Sequence, residues 1–163
     1  MRSRLVDFAD RYFAQYQEKI ERSTLGLGDP QIWWRPSPRS NSIANLLLHL
    51  RGNLSQWVLA GLCGESFERH RGEEFAAREG AGRAELVAAL ATVVARCRSR
   101  VRELPDSELE RERTIQGETL DGYAALFHAV EHMSYHTGQI VALAKALLPE
   151  GTELEFYPQH RDE

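Results

Sequence analysis

Apolar residues recur every three or four positions along four separate stretches of the chain, which is the spacing of one face of an α-helix. The predicted helices span Ser3–Thr24, Ser40–Leu62 and Arg83–Leu104, and a fourth begins at Glu118–Leu120 and continues to Leu148. No stretch has the alternation of a convincing β-strand. The pattern predicts an all-α protein, an antiparallel four-helix bundle with long loops that occupies residues 1–163 as a single domain.

The connections between these helices are rich in proline, glycine and charged residues. Residues 29–40 read DPQIWWRPSPRS, and the three prolines in this segment cannot continue a helix. Residues 63–82 are charged and punctuated by glycine, which predicts a long loop with at most one short turn of helix. The segment 106–120 is polar, and within it Thr114 and Ile115 are expected to be extended.

The fourth predicted helix contains half of the chain's 6 histidines. His128, His132 and His136 follow one another at intervals of four residues, so they lie on one face of the helix. Glu131 and Lys145 lie on another side, so the histidine face is expected to point into the bundle. The residues expected beside the histidines on that inner side are Ala124, Ala125, Ala142 and Ala146, with Gln139 extending the polar line.

Three inward histidines in one line need polar partners or a ligand. A lone buried histidine usually makes one hydrogen bond, but each imidazole left without a partner costs about 1–3 kcal/mol. Two imidazoles one turn apart can bind one divalent metal ion from the same side. Eight residues rise about 12 Å along a helix, so three imidazoles cannot easily share one ion. The spacing predicts two ligands from this helix and at least one from elsewhere.

A ferritin-like di-iron site is the competing metal centre for a helical bundle, and it requires Glu-x-x-His motifs. The histidine helix contains none. Glu131 directly precedes His132 and is therefore about 100° away around the helix. Glu131 is accordingly a weak candidate for a ligand or a base.

A second polar stripe lies in the otherwise apolar helix Ser40–Leu62. It consists of Asn45, His49, Asn53 and Gln56, which are spaced four, four and three residues apart. Packed helices lie about 8–10 Å apart, a gap that two facing imidazoles and one ion can bridge. His49 is therefore a candidate for the missing ligand.

Composition and charge narrow the classes of function. With 42% hydrophobic and 27% charged residues, the sequence is typical of a globular protein. A net charge of −4 gives no general attraction to nucleic acid or anionic membranes, and no apolar run approaches the ~20 residues of a membrane span. The N-terminus lacks the apolar core of a signal peptide, so a cytoplasmic location is expected, with Cys63 and Cys97 as free thiols.

Two segments carry a resemblance to a known family. NSIANLLLHLRGN in the second helix and HAVEHMSYHTGQI in the fourth resemble the DinB-like (YfiT-like) family of four-helix-bundle metal proteins. The resemblance covers essentially the whole chain and implies a metal-ligand triad of His49, His132 and His136, with His128 one turn outside it. It also implies an open metal position and a homodimer. Thr137 stands where the family often has arginine, which argues against anion binding at that position.

The function that we expect combines this resemblance with the chemistry of the residues. The cofactor is one divalent metal ion, zinc or nickel, with manganese or iron as alternatives. Because neither stripe has an obvious carboxylate base, transfer of a small electrophile to a low-molecular-weight thiol is favoured over metal-dependent hydrolysis, in which His128 or Glu131 would have to act as the base. The third alternative is a non-enzymatic binding or stress-response module with a structural metal. Candidate residues of a small-molecule substrate pocket are Trp33, Trp34, Asn45, Asn53, His128 and Tyr135.

Overall fold

In the computed structural model, which describes residues 4–157, most of the chain is helical. In chain order the helices are α1 (Arg4–Thr24), α2 (Asp29–Trp33), α3 (Ile43–Leu54), α4 (Arg71–Ala76), α5 (Arg83–Glu103), α6 (Asp106–Glu110) and α7 (Gly122–Leu147). A π-helical segment, Ser55–Leu62, continues α3 without a break. The four long helices are α1, α3 with its π-helical segment, α5 and α7, and they form the predicted bundle. Ser3, the predicted first residue of the first helix, lies outside the described residues.

Side-chain caps determine where the two site-bearing helices begin. Ser42 is the N-cap of α3, and its hydroxyl accepts a hydrogen bond from the backbone N–H of Asn45 at 3.1 Å. Asp121 is the N-cap of α7, and its carboxylate accepts from the backbone N–H of Ala124 at 2.8 Å. Each cap satisfies an amide that the first helical turn cannot pair. The predicted start of the last helix at Glu118–Leu120 is therefore wrong.

A β-hairpin occupies the region just before α7. Strand β1 (Arg113–Ile115) pairs antiparallel with β2 (Glu118–Leu120), with Ile115 opposite Glu118. The turn residues Gln116 and Gly117 both have positive φ, 53° and 84°, as a tight two-residue hairpin turn requires. The extended conformation expected for Thr114 and Ile115 is confirmed.

Most of the core is aliphatic and lies between the four long helices. α1 packs against α5 and α7, and α3 packs against the same two helices. No helix within residues 4–157 combines the length and the apolar character that crossing a membrane requires. The largest fully enclosed side chains are Phe13, Ile20, Ile32, Ile43, Leu46, Leu47, Leu50, Leu54, Leu90, Leu109, Leu126 and Met133.

The buried face of α7 differs from the predicted one. Its core-facing stripe is formed by Ala125, Leu126, Ala129, Met133, Thr137, Ile140 and Ala144, all of them buried. The three histidines lie at the edge of this stripe and are partly exposed, while Ala124, Ala142 and Ala146 are exposed. The expected alanine lining of the histidines is therefore wrong for these three residues. The larger apolar side chains of α7 point into the core, so the histidines lie at the edge of the contact between α3 and α7.

Candidate metal centre

Three histidines from two helices meet at one point of the bundle. His49 on α3 and His132 and His136 on α7 each offer one ring nitrogen, and these nitrogens lie within 4.8 Å of one another. The Nε2 atoms of His49 and His132 are 3.0 Å apart. No other group of three or more potential ligands of this kind occurs among residues 4–157. The structure thus brings together the three residues that the resemblance implies.

His49 is oriented by a carboxylate from the short helix α4. The Nδ1 atom of His49 is 2.9 Å from Oε2 of Glu74, and both side chains are largely buried. Arg69 Nη2 also approaches Nδ1, at 3.1 Å. Because a bare Nδ1 lone pair would repel the carboxylate oxygen, we assign the proton to Nδ1, which donates to Glu74. The lone pair of His49 is then on Nε2 and points toward His132.

Arg69 fixes Glu74 in turn. Its Nε donates to Oε1 at 2.7 Å and its Nη2 to Oε2 at 2.8 Å, which is the two-pronged geometry of a strong arginine–carboxylate pair. Burial by itself would raise the pKa of Glu74, but the hydrogen bonds from His49 and Arg69 and the positive charge of Arg69 outweigh it. The pKa of Glu74 is therefore below its usual value, and the residue is an anion at neutral pH.

The backbone of α3 leaves room for this pair at Gly52. A Cβ atom at Gly52 would lie 2.1 Å from Oε1 of Glu74 and 3.0 Å from Nε of Arg69. Such distances are far below van der Waals contact, so only glycine permits the carboxylate to approach the helix this closely. Gly52 is one turn from His49, and the close approach places Glu74 beside the imidazole.

Asn45 attaches the C-terminal end of α4 to the start of α3. Its Nδ2 donates to the backbone oxygens of Glu74 at 2.8 Å and of Ala77 at 3.0 Å. Its Oδ1 accepts from Arg35 and from Ser42, and the side chain is fully buried. Both polar atoms of its side chain are used in these bonds, so Asn45 holds the end of α4 in place and offers no free group to a substrate.

Glu74, Arg69 and Gly52 were not predicted from the sequence. The segment 63–82 shows only charge and glycine, and the expected short turn of helix in it is α4, which carries Glu74. The sequence does indicate that a partner is needed, because a buried metal-binding histidine needs a hydrogen-bond acceptor for its second ring nitrogen. No spacing rule connects His49 to a carboxylate 25 residues away.

The two histidines of this group on α7 have different surroundings. His136 donates from Nδ1 to Oε1 of Gln139, at 2.7 Å, which leaves Nε2 free to bind an ion. Nδ1 of His132 is enclosed and has no hydrogen-bond partner among the described residues. Burial lowers the pKa of both rings, that of His132 to about 3, with the neighbouring histidines adding to the effect. Both are therefore neutral at pH 7, as metal ligands must be.

These features fit a divalent metal ion. Two of the three rings have a hydrogen-bond partner on Nδ1, and all three are close enough to share one ion. Three neutral imidazoles are a ligand set found for zinc and other first-row ions. Neither cysteine belongs to the group, and burial raises the pKa of the Cys63 thiol to about 11. The site could therefore hold an ion through nitrogen atoms alone.

The remaining predicted pocket residues lie at different distances from the histidines. The His128 ring is 5.5 Å from that of His132, and the Tyr135 ring is 5.0 Å from that of His136. Both flank the metal centre. Asn53 is buried one turn after His49.

The two adjacent tryptophans have separate environments. Trp33 donates from Nε1 to the backbone oxygen of Ala81 at 3.1 Å and packs against the core, so it stabilises the end of the bundle. Trp34 is exposed. Neither contacts the three histidines through any ring contact or hydrogen bond within residues 4–157.

Thr137, at the position where the family often has arginine, is part of the buried stripe of α7. Its hydroxyl donates to the backbone oxygen of Met133 at 2.7 Å. It has no charge to offer an anion. Glu131 is exposed on the same helix and does not belong to the histidine group.

A family model described as a protein of unknown function, DUF1572, matches residues 2–154. The chain belongs to the DUF1572 family. The solved structures below add that its fold is that of DinB-like and YfiT proteins. No curated protein sequence matches this DUF1572 member.

Solved structures share the fold at low sequence identity. A conserved protein from Enterococcus faecalis has a TM-score of 0.75 at 17% identity, covering 88% of this chain and 97% of its own. A DinB-like protein from Bacillus subtilis has a TM-score of 0.69 at 19% identity, covering 91% and 96%. YfiT from Bacillus subtilis has a TM-score of 0.71 at 16% identity, covering 90% of each chain, and is described as a probable metal-dependent hydrolase with an unusual four-helix bundle topology. This DUF1572 protein therefore has the YfiT-like bundle fold.

Proposed function

We propose that this protein is a metal-dependent enzyme in which His49, His132 and His136 hold one divalent ion, zinc or nickel, with manganese or iron as alternatives. The observation that carries the proposal is the convergence of three ring nitrogens within 4.8 Å, two of them on neutral, low-pKa histidines. A divalent ion bound only by neutral nitrogens keeps its full charge and lowers the pKa of a water or thiol that binds to it.

The number of ligands supports a catalytic role over a structural one. Structural zinc sites usually have four protein ligands, whereas catalytic sites have three and an open position. The group contains three histidines and no carboxylate or thiolate among the described residues. Glu74 is unavailable as a fourth ligand because both of its oxygens bind Arg69 and one also accepts from His49.

We favour transfer of a small electrophile to a low-molecular-weight thiol as the reaction. This chemistry requires the protein to position two substrates and to keep the thiol deprotonated, and it requires no carboxylate base. The charged residues beside His49 offer no such base, because Glu74 is hydrogen-bonded to both His49 and Arg69. Glu74 would act as a positioning residue that keeps the lone pair of His49 on Nε2.

Metal-dependent hydrolysis is the second candidate, and the position of His128 favours it. The His128 ring lies 5.5 Å from that of His132 and makes no hydrogen bond to any residue in the range 4–157. It is therefore free to accept a proton from a water molecule beside the ligands. YfiT, which has the same fold, is described as a probable metal-dependent hydrolase.

The deciding experiment compares the two reactions in one assay series. Metal-loaded protein is given a panel of cellular thiols with a chromogenic electrophile and, separately, ester and amide substrates without thiol. Thiol-dependent turnover that is lost in His49→Ala is the expected result, with His70→Ala as the control because His70 is exposed and outside the site. Ester or amide turnover without thiol would overturn the order of the two candidates. No His49-dependent turnover of any substrate would favour a binding module with a structural metal.

We also propose that the protein forms a homodimer through the outer surface of α1 and α7. Phe127 and Tyr135 on α7 are 62% and 60% exposed, and Phe8 on the adjacent α1 is exposed as well. Exposed large apolar side chains that form a patch are typical of interaction surfaces. Light scattering at tens of micromolar should give the mass of two chains, and Phe127→Ser should shift it toward one. A monomeric wild-type protein would contradict the proposal.

A further inference from the structure

An open pocket of about 640 Å³ lies on the surface between α1 and α7. It is lined by residues of α1, by Ser134 of α7 and by Tyr157 from the segment that follows α7. Ser134 is two residues from His132 and two from His136. Two residues turn a helix by roughly 200°, so Ser134 faces away from the three histidines. The pocket is therefore separate from the metal centre.

The two charged side chains that line this pocket are both cations, Arg11 and Lys19 of α1. No carboxylate is among its described lining residues, although the whole chain has a net charge of −4. Glu18, which precedes Lys19 in the sequence, forms an ion pair with Arg22 at 3.6 Å. Arg11 forms no ion pair or hydrogen bond with any residue in the range 4–157. The pocket thus has two positive charges that no carboxylate in its described lining neutralises.

Aromatic rings hold both cations in place. The guanidinium carbon of Arg11 lies 5.4 Å from the ring centre of Phe8 and 5.1 Å from that of Tyr12. The ammonium nitrogen of Lys19 lies 4.4 Å from the ring centre of Tyr157 and donates to the hydroxyl of that residue. A ring face orients a cation and leaves its full charge in place, whereas a carboxylate would cancel the charge. Both charges therefore remain available to an anion.

Hydrogen-bond donors lie between the two cations. Arg11 and Lys19 are eight residues apart, which corresponds to about 12 Å along the helix. Tyr12 and Tyr16 come between them, with their ring centres 5.7 Å apart. The hydroxyls of these tyrosines and of Ser134 make no hydrogen bond within residues 4–157, so they can donate to a ligand. The pocket offers an elongated row of donors with a positive charge at each end.

We propose that this pocket binds a chain of linked phosphates, as inorganic polyphosphate or as the triphosphate of a nucleotide. The oxygens of such a chain are hydrogen-bond acceptors, and its negative charge is spread along its length. Arg11 and Lys19 bind the two ends of the chain, and the tyrosine hydroxyls donate to oxygens between them. A single phosphate engages fewer of these groups, and a dicarboxylate offers acceptors only at its ends.

Isothermal titration calorimetry with inorganic tripolyphosphate and with orthophosphate tests the inference. We expect tripolyphosphate to bind about tenfold or more tightly, because it reaches both cations, and its affinity to fall as salt is raised. ATP in the same series identifies the source of the phosphate chain. An ATP affinity at or above that of tripolyphosphate assigns the site to nucleotides, and a lower one assigns it to inorganic polyphosphate. Equal affinity for tripolyphosphate and orthophosphate would overturn the inference.

Two kinds of variant separate the effect of charge from that of the hydroxyl donors. Arg11→Gln and Lys19→Gln should each weaken tripolyphosphate binding by about tenfold. Tyr12→Phe combined with Tyr16→Phe keeps the charges and the rings, and it should still weaken binding severalfold. Unchanged affinity in this double variant would mean that the surface attracts anions only by its charge, which would overturn the phosphate-chain site.

Matched controls test whether binding belongs to this pocket. Arg39→Gln and Lys145→Gln remove exposed cations outside it and should bind tripolyphosphate like wild type. Metal-stripped wild-type protein should bind as tightly as the protein as purified, because the pocket faces away from the three histidines. Binding that requires the metal, or that is as strong in Arg11→Gln and Lys19→Gln as in the controls, would overturn the inference.

Discussion

The two halves of the metal centre are built differently. On α3, His49 has a hydrogen-bond partner that is itself fixed by Arg69 and fitted against Gly52. On α7, His132 has an enclosed Nδ1 with no partner in the described chain, and His136 relies on a single bond to Gln139 on its own helix.

The difference indicates which half the protein orients before an ion binds. The α3 half is held by charged hydrogen bonds from His49 on α3 to Glu74 on α4 and from Arg69, just before α4, to Glu74, which fix both the ring and its tautomer. The α7 half is held mainly by the packing of the helix, and burial keeps its rings neutral. We therefore expect loss of an α7 ligand to abolish metal binding, and loss of the α3 support to weaken it.

The largest effect is expected for His132→Ala. Removing one of the three proposed ligands should weaken zinc or nickel binding by more than about 100-fold, since only two imidazoles remain. At a metal concentration of 100 Kd the wild-type protein should gain about 2.7 kcal/mol in its free energy of unfolding, and the variant almost nothing. Urea unfolding with and without metal measures this gain in the wild-type protein and in the variant. His70→Ala is the control and should behave like wild type. A variant that still gains the full stabilisation would exclude His132 as a ligand.

A smaller loss is expected for Glu74→Gln. The amide can no longer accept the His49 proton as an anion does, so metal affinity should fall by roughly 10–100-fold. Isothermal titration calorimetry measures the change. The matched control is Glu73→Gln, the neighbouring exposed carboxylate. Equal affinities in the two variants would mean that the Glu74–His49 bond does not support the site.

Gly52→Ala should lower metal affinity by about tenfold, the low end of the range expected for Glu74→Gln. The new Cβ would displace the Glu74 carboxylate without removing it. Gly138→Ala on α7 is the control, because a Cβ there meets nothing within 4 Å. That change should leave metal affinity unaltered and add up to about 1 kcal/mol of stability, as alanine is the better helix former. Unchanged affinity in Gly52→Ala would argue that Glu74 can be accommodated elsewhere.

The smallest effect concerns the metal-free protein and pH. The pKa of His132 is depressed from 6.5 to about 3, so between these values the unfolded chain binds a proton that the folded chain does not. Stability should therefore fall as pH decreases below 6.5, by about 1 kcal/mol at pH 5.5 from this residue alone. Urea unfolding at pH 7.0, 6.5 and 5.5 measures the slope, which His132→Ala should reduce. A flat profile would contradict a buried, neutral His132.

Local patterns in the sequence predicted the long helices well because each buries one apolar face. They did not predict the hairpin, since Gln116–Gly117 is a weak turn signal between short polar strands. The spacing identified the histidine stripe. It did not predict which way the stripe points, because this depends on which residues of α7 pack into the core, and those include Leu126 and Met133. Glu74 could not be found because its contact with His49 is set by tertiary structure.

The central claim is that His49, His132 and His136 together hold one metal ion, and elemental analysis of protein purified without a histidine tag tests it most directly. The expected result is about one equivalent of zinc or nickel per chain, and His132→Ala should contain none. Adding zinc or nickel to metal-stripped wild-type protein should restore the bound metal and raise the unfolding temperature. Protein that contains no metal, and whose unfolding temperature does not change when zinc or nickel is added, would contradict the account.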